Sequence, residues 1–236
     1  MVNPLHWFKP EAPSLDAPTA AASTPAEPVA QKSVMVPIRS IGPAQVDRVV
    51  EHLLALEPHD RYLRFGYSAS DEHIRRYVKQ INFDRDELFG IFNRKLELIA
   101  MAHLAFSVDP QYNSCAEFGV SVAKAARGRG FGSRLFERAV MHARNEGVVM
   151  LFIHALTENT AMLKIARNAG AVIERDGSES EAHLRLPPAD FDSRVTEMVR
   201  QHVAFTDYHL KAQAKQFWGL LSRLQSRREG ERAKME

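Results

Sequence analysis

One cysteine, Cys115, in 236 residues excludes an intrachain disulfide and a zinc site built on cysteines, and fits a reducing compartment. Net charge is nearly absent as well: 31 basic side chains against 29 acidic ones leave +2. No global field therefore draws the chain to nucleic acid or to a membrane surface. No run approaches the roughly 18 apolar residues of a membrane span, and the N-terminus lacks the basic start and apolar core of a secretory signal. The expectation is a cytoplasmic protein with neither nucleic acid nor membrane as partner. What is present, 45% hydrophobic residues, suffices for one substantial core with appendages.

Residues 1–33 are rich in Pro, Ala, Ser and Thr without periodicity and read as a disordered leader, relieved only by the apolar patch at Trp7 and Phe8. Order is expected over residues 34–187. A short strand-like alternation near Val36 and Ile38 precedes a helix carrying Val46, Val49, Val50, Leu53 and Leu54 on one face. A second helix starts after Ser70, which suits an N-cap ahead of Asp71 and Glu72. Three β-like runs follow, over residues 87–93, 96–107 and 115–122, then a helix over 130–145 closed by Gly147. The unalternating run 148–153 reads as a central strand covered on both faces. A helix from Asn159 to Gly170 and two short strands, over 171–174 and 182–186, complete the domain before Pro187 and Pro188. Residues 188–236 are expected to form a helical extension. In it Leu210, Ala214, Phe217, Leu221 and Leu224 recur as a seam suited to a homodimer, and Lys211, Lys215, Arg223, Arg227 and Arg228 read as a solvated face.

The chemistry concentrates at Arg127-Gly128-Arg129-Gly130-Phe131-Gly132, followed by Ser133 and lying between an apolar strand and a long helix. Successive backbone amides at a helix N-terminus cradle anions, and glycines let a diphosphate come close. A Walker A loop would end in Gly-Lys-Ser/Thr, and a dinucleotide fingerprint would carry a third glycine two residues on within a βαβ unit. The segment has neither.

Arg127, Gly130 and Gly132 match the signature of the GNAT superfamily of N-acetyltransferases, which the chain resembles. Residues 116–122 are similar to that family's fourth strand, and Asn159 with Met162, Ile165 and Gly170 is similar to its second cofactor segment. The flavour is that of stand-alone bacterial relatives of protein-lysine acetyltransferases. The resemblance implies an α+β fold, with a mixed, mostly antiparallel, splayed sheet flanked by helices and opened to hold acetyl-CoA. It implies that the backbone of Val120 and Val122 holds the pantetheine arm, that amides from Arg127 to Ser133 hold the pyrophosphate, and that Asn159 sits near the thiol, although Asn159 equally fits a plain N-cap. It places Glu117 where some members carry a catalytic base, and the amide of Val120 where it polarises the thioester carbonyl.

One departure is Ala166, which occupies the position where many members carry a tyrosine acid. His103 and His154 are further candidates for proton transfer. Cys115 lacks the partners of an acyl-enzyme nucleophile, and no metal-ligating pattern is present. The acceptor is expected to be a primary amine, either a protein lysine, implied by the resemblance of residues 60–66 to the corresponding segment of those bacterial relatives, or a small polyamine or amino sugar, for which Asp60, Asp71 and Glu72 would supply acidity. A non-catalytic acyl-CoA sensor is the rival reading.

Overall fold

The computed structural model describes residues 36–108 and 114–189 together with residues 194, 196–201 and 204. The leader with Trp7 and Phe8, and the seam and basic residues beyond position 205, lie outside the described residues. The elements run β1 (Arg39–Ser40), α1 (Val46–Leu54), α2 (Pro58–Phe65), α3 (Asp71–Gln80), β2 (Glu87–Phe92), β3 (Leu98–Phe106), β4 (Cys115–Val122), α4 (Phe131–Asn145), β5 (Met150–Leu156), α5 (Thr160–Asn168), β6 (Val172–Asp176) and β7 (Glu179–Arg185). The seven strands form one sheet in the order β1-β2-β3-β4-β5-β7-β6. Every neighbouring pair is antiparallel except β4 with β5. The α+β class and the mixed, splayed sheet expected from the sequence are what the chain adopts.

Both faces of the sheet are covered. Phe89, Leu104, Phe118, Leu135 and Leu151 pack in the core shared with α4 and α5, while Leu88, Met101, Val49, Leu53, Ile74 and Val78 pack in the core shared with α1 and α3. Successive residues of a strand point to opposite faces, so Leu88 and Phe89 enter different cores. This explains why β2 is buried from Leu88 to Phe92 without alternation. β5 takes the expected central place, between β4 and β7, but only one of its faces is sealed: Leu151 and Ile153 are buried, whereas Met150 and Phe152 are half-buried and His154, just past the expected run, is exposed. The other face opens to a cleft.

α2 was not anticipated as a helix. Its punctuation is legible, with Pro58 in the first turn and Gly66 in the left-handed conformation (φ 79°) at its end, but none of its residues is buried. Apolar periodicity therefore has nothing to register. Instead the helix is fastened by Arg61, which donates to the carbonyls of Leu54 (2.6 Å) and Leu56 (3.0 Å) and pairs with Asp71 at 2.6 Å.

α1 is tied to the sheet by a buried histidine. His52 Nδ1 donates to the Leu98 carbonyl at 2.9 Å, so Nε2 accepts from the Ser121 hydroxyl, also at 2.9 Å. Burial, reinforced by the charge of Arg64, lowers its pKa from 6.5 to about 4. The unfolded chain takes up this proton near pH 6.5, so the stability His52 contributes is complete above that value. It is lost as pH falls toward 4, by about 3 kcal/mol in all. A His52→Gln variant, melted at a series of pH values between about 4 and 7, should show a flatter dependence of Tm on pH than the parent.

Among the described residues no helix is long and apolar enough to cross a membrane. At the far edge of α4, Arg138, His142 and Asn145 hydrogen-bond the carboxylate of Glu197. Burial alone would raise the Glu197 pKa, but these three donors outweigh it and hold the group at about 2.

Candidate active site

The site exists because two parallel neighbours part. β4 and β5 pair at Cys115 with Met150, Ala116 with Leu151 and Glu117 with Phe152. Beyond Glu117, β4 continues along β3 as far as Val122, while β5 continues along β7 to Leu156. The Ala123 amide donates to Ile99 and the Cys115 carbonyl accepts from Ser107. Backbone groups alternate along a strand, so those of Phe118, Val120 and Val122 face the opening rather than β3. An extended arm laid in the wedge would find these groups ready to pair.

At one end of the wedge, Gly128 and Gly130 take left-handed φ values of 76° and 72°, which carry the chain into α4. Gly130 is the N-cap of α4 and has no side chain to cap it, so among the described residues its first amides point out without a capping partner. Gly132 lies close to α5, since a Cβ there would sit 3.2 Å from Ile165 Cδ1. Arg127 closes the mouth with an ion pair to Asp60 at 2.5 Å and a hydrogen bond from Nε to the Val122 carbonyl at 3.3 Å. The cleft measures about 460 Å³ and is lined by Val120, Val122, Arg127, Gly128, Gly130 to Ser133 and Asn159, all expected from the sequence. Arg129 is exposed and is not among its lining residues. Lys164 and Asn168 complete the wall. They went unremarked, although their i, i+4 spacing marks a helix face opposite to buried Met162, Leu163 and Ala166.

Asn159 does two things at once. Its Oδ1 caps α5 by accepting from the Met162 amide at 3.1 Å, and its Nδ2 reaches the Leu63 carbonyl at 3.4 Å. It lines this cleft and a second one of about 740 Å³ on the other side of the wedge. Leu63, Arg64, Val120 and Met162 are also common to both. The two clefts thus meet at Val120.

The second cleft contains Glu117, exposed on β4, and His154 on β5. Its acidity comes from Glu174, Asp176, Glu179 and Glu181 on the β6–β7 hairpin. The acidic residues expected from the sequence are engaged elsewhere, which corrects that expectation: Asp60 belongs to the first cleft and pairs with Arg127, Asp71 pairs with Arg61, and Glu72 pairs with Arg76. The hairpin strands lie far from Glu117 in sequence, and only the β5–β7 pairing brings them beside it. Cys115 begins β4 and lines neither cleft. Ala166 is fully buried in the core, and its methyl group has no proton to give.

Behind the second cleft lies a line of polar groups. Arg64 Nη2 donates to Tyr77 Oη at 2.9 Å, Tyr77 Oη lies 2.6 Å from His103 Nδ1, and His103 Nε2 lies 3.3 Å from Asp86 Oδ2. Gly119 makes room for it, because a Cβ there would come within 2.5 Å of Arg64 Nη2.

The chain matches the acetyltransferase (GNAT) family over residues 51–171. Its fold is similar to that of the GNAT domain of PAT from S. lividans, with a TM-score of 0.54 and 22% identity, covering 63% of this chain and 89% of that one. It is likewise similar to a GNAT-family acetyltransferase from Streptococcus pneumoniae, with a TM-score of 0.52 and 17% identity, covering 64% of this chain and 98% of that one.

Proposed function

Because the chain belongs to the GNAT acetyltransferase family and is an acyltransferase, we propose that it moves an acetyl group from acetyl-CoA directly onto a primary amine, a protein lysine first among acceptors. The observation that carries this reading is the parting of β4 from β5 beside an uncapped helix N-terminus. The residues suit the donor. The open edge of Val120 and Val122 matches the amides of an extended pantetheine arm, and the amides of Arg127, Gly128 and Gly130 to Ser133, with the Lys164 and Arg127 side chains nearby, match a diphosphate.

An amine of lysine type has a pKa of about 10.4 and attacks only when neutral. Glu117 stands in the acceptor cleft and is open to water, so it can take the ammonium proton and release it to solvent. The amide of Val120, aimed into the opening at the junction of the clefts, stabilises the charge that develops on the acyl oxygen. Direct transfer needs no covalent enzyme intermediate.

A second reading of the acceptor rests on the carboxylates of Glu174, Asp176, Glu179 and Glu181 around the cleft. They favour a polycationic small amine by charge complementarity. Acetylation assays with lysine peptides and with spermidine separate the two. The donor is tested by thermal shift, where acetyl-CoA should raise Tm saturably and ATP or NAD should not. Glu117→Gln should lower kcat about 100-fold near neutral pH while leaving acetyl-CoA affinity unchanged. Full turnover by that variant across the pH range would remove Glu117 from the role of base.

A further inference from the structure

We propose that Tyr77 is a second proton-transfer group of the acceptor cleft, with His103 and Asp86 behind it as positioning residues that form a Tyr-His-Asp relay. The inference rests on the acetyl-transfer reading above. Tyr77 is half-buried on α3 and lines the acceptor cleft with Arg64, Glu117 and Gly119. Its ring packs edge-on against Phe65 and His103, with centroids 5.3 and 5.8 Å apart, which fixes the hydroxyl at the end of the line.

The direction of the line follows from its far end. Asp86 is 5% exposed and receives two hydrogen bonds from Arg85, at 2.7 and 3.1 Å. Burial would raise its pKa, but these donors prevail and keep it ionised. A carboxylate only accepts, so His103 Nε2, which lies 3.3 Å from it and makes no hydrogen bond of regular geometry with any described group, carries the imidazole hydrogen. Burial and then the charge of Arg64 hold His103 below its ordinary pKa and therefore neutral. Nδ1 is left as an acceptor, and the phenol hydrogen of Tyr77 points at it across 2.6 Å. Arg64 donates to the same phenol oxygen from the other side, 2.9 Å away. A proton leaving Tyr77 thus makes an imidazolium facing Asp86 and a phenolate facing a guanidinium. Each new charge meets a fixed opposite one.

The chemistry requires such a group. A protonated amine loses two protons in becoming an amide, while the departing thiolate gains one. Glu117 passes the first to solvent. As the C–N bond forms, Tyr77 Oη takes the second from nitrogen while its own proton moves to His103 Nδ1. As the C–S bond breaks, that proton returns to Tyr77 and Tyr77 delivers one to sulfur, leaving the relay as it began. This fills the place left empty by Ala166, whose side chain is sealed in the core. The charged and titratable groups facing Tyr77 are Arg64 from α2, His103 from β3, Asp86 with Arg85 from the turn before β2, and Glu117 across the cleft.

The first test needs no acceptor. Long-range ¹H–¹⁵N NMR of the free, full-length chain at neutral pH should find His103 in the Nε2–H tautomer. The Nδ1–H tautomer would make Tyr77 an acceptor with its proton turned away, and would overturn the relay. The second test is kinetic, with acetyl-CoA and either a lysine peptide or spermidine. Tyr77→Phe, which keeps the packed ring, should lower kcat about 100-fold with the dissociation constant for acetyl-CoA unchanged, and His103→Asn about tenfold. The double variant should be no slower than Tyr77→Phe, since the groups act as a unit. Tyr77→Phe retaining more than half of parental kcat, or a double variant with multiplied losses, would defeat the proposal while leaving acetyl transfer standing. A parent that binds acetyl-CoA but turns over neither acceptor would count against the acetyl-transfer reading, and the His103 tautomer would still decide the relay.

Discussion

Replacing Phe118 with alanine will lower the free energy of unfolding by about 4 kcal/mol, the upper part of the range for a fully buried aromatic. Phe118 is 1% exposed and meets Phe136 of α4 edge-on, with centroids 5.0 Å apart at 87°. Its position worsens the loss. It is the first residue of β4 beyond the last pair with β5, so no ladder on that side holds the backbone when the ring is gone, and the void lies directly under the wedge. Urea denaturation should therefore show a lower midpoint with little change in slope. Acetyl-CoA should restore less Tm to the variant than to the parent. A loss below about 1 kcal/mol would mean that α4 can collapse onto the strand, contrary to the packing described.

Gly130→Val is expected to weaken acetyl-CoA binding about 100-fold. Its φ of 72° lies in the left-handed region, where an L residue costs roughly 1–2 kcal/mol and a β-branched one more. The loop can relieve the strain only by rotating, and rotation turns the leading amides of α4 away from the diphosphate. Two charge-assisted hydrogen bonds lost at about 1.5 kcal/mol each account for the factor. Gly147→Val is the control: it shares the left-handed backbone (φ 81°) but follows α4 and lines neither of the two clefts. Calorimetric titration should find the control's affinity unchanged, although both variants melt earlier. Equal affinities in the two variants would remove the glycine loop from donor binding.

Elements whose pattern reports burial could be read from the chain alone. β4 was expected over residues 115–122 and runs from Cys115 to Val122. The stripe of Leu135, Phe136, Ala139 and Ala143 sits in the α4 core, and Ser70 accepts from the His73 amide as an N-cap does. The glycine loop was equally legible, because glycines with positive φ and an adjoining helix are local in sequence. The second cleft was not. His103 was noticed as one strand histidine among others, since its partners Tyr77 and Asp86 belong to different elements and only the β2–β3 register and the seat of α3 bring them together. β6 and β7 were placed within a few residues, but their carboxylates acquire meaning only through the pairing of β7 with β5.

Eight residues of α2 span the distance between the two clefts. Asp60 near its start holds Arg127 at the mouth of the first, and Arg64, one turn later, reaches Tyr77 behind the second. A rigid rod gripped at both ends moves as one, so a substitution that slides or tilts it is expected to be felt in both clefts together. In a mutational scan, positions along α2 will therefore change both Michaelis constants at once, whereas positions on α5 or on the β6–β7 hairpin will each register mainly with one substrate.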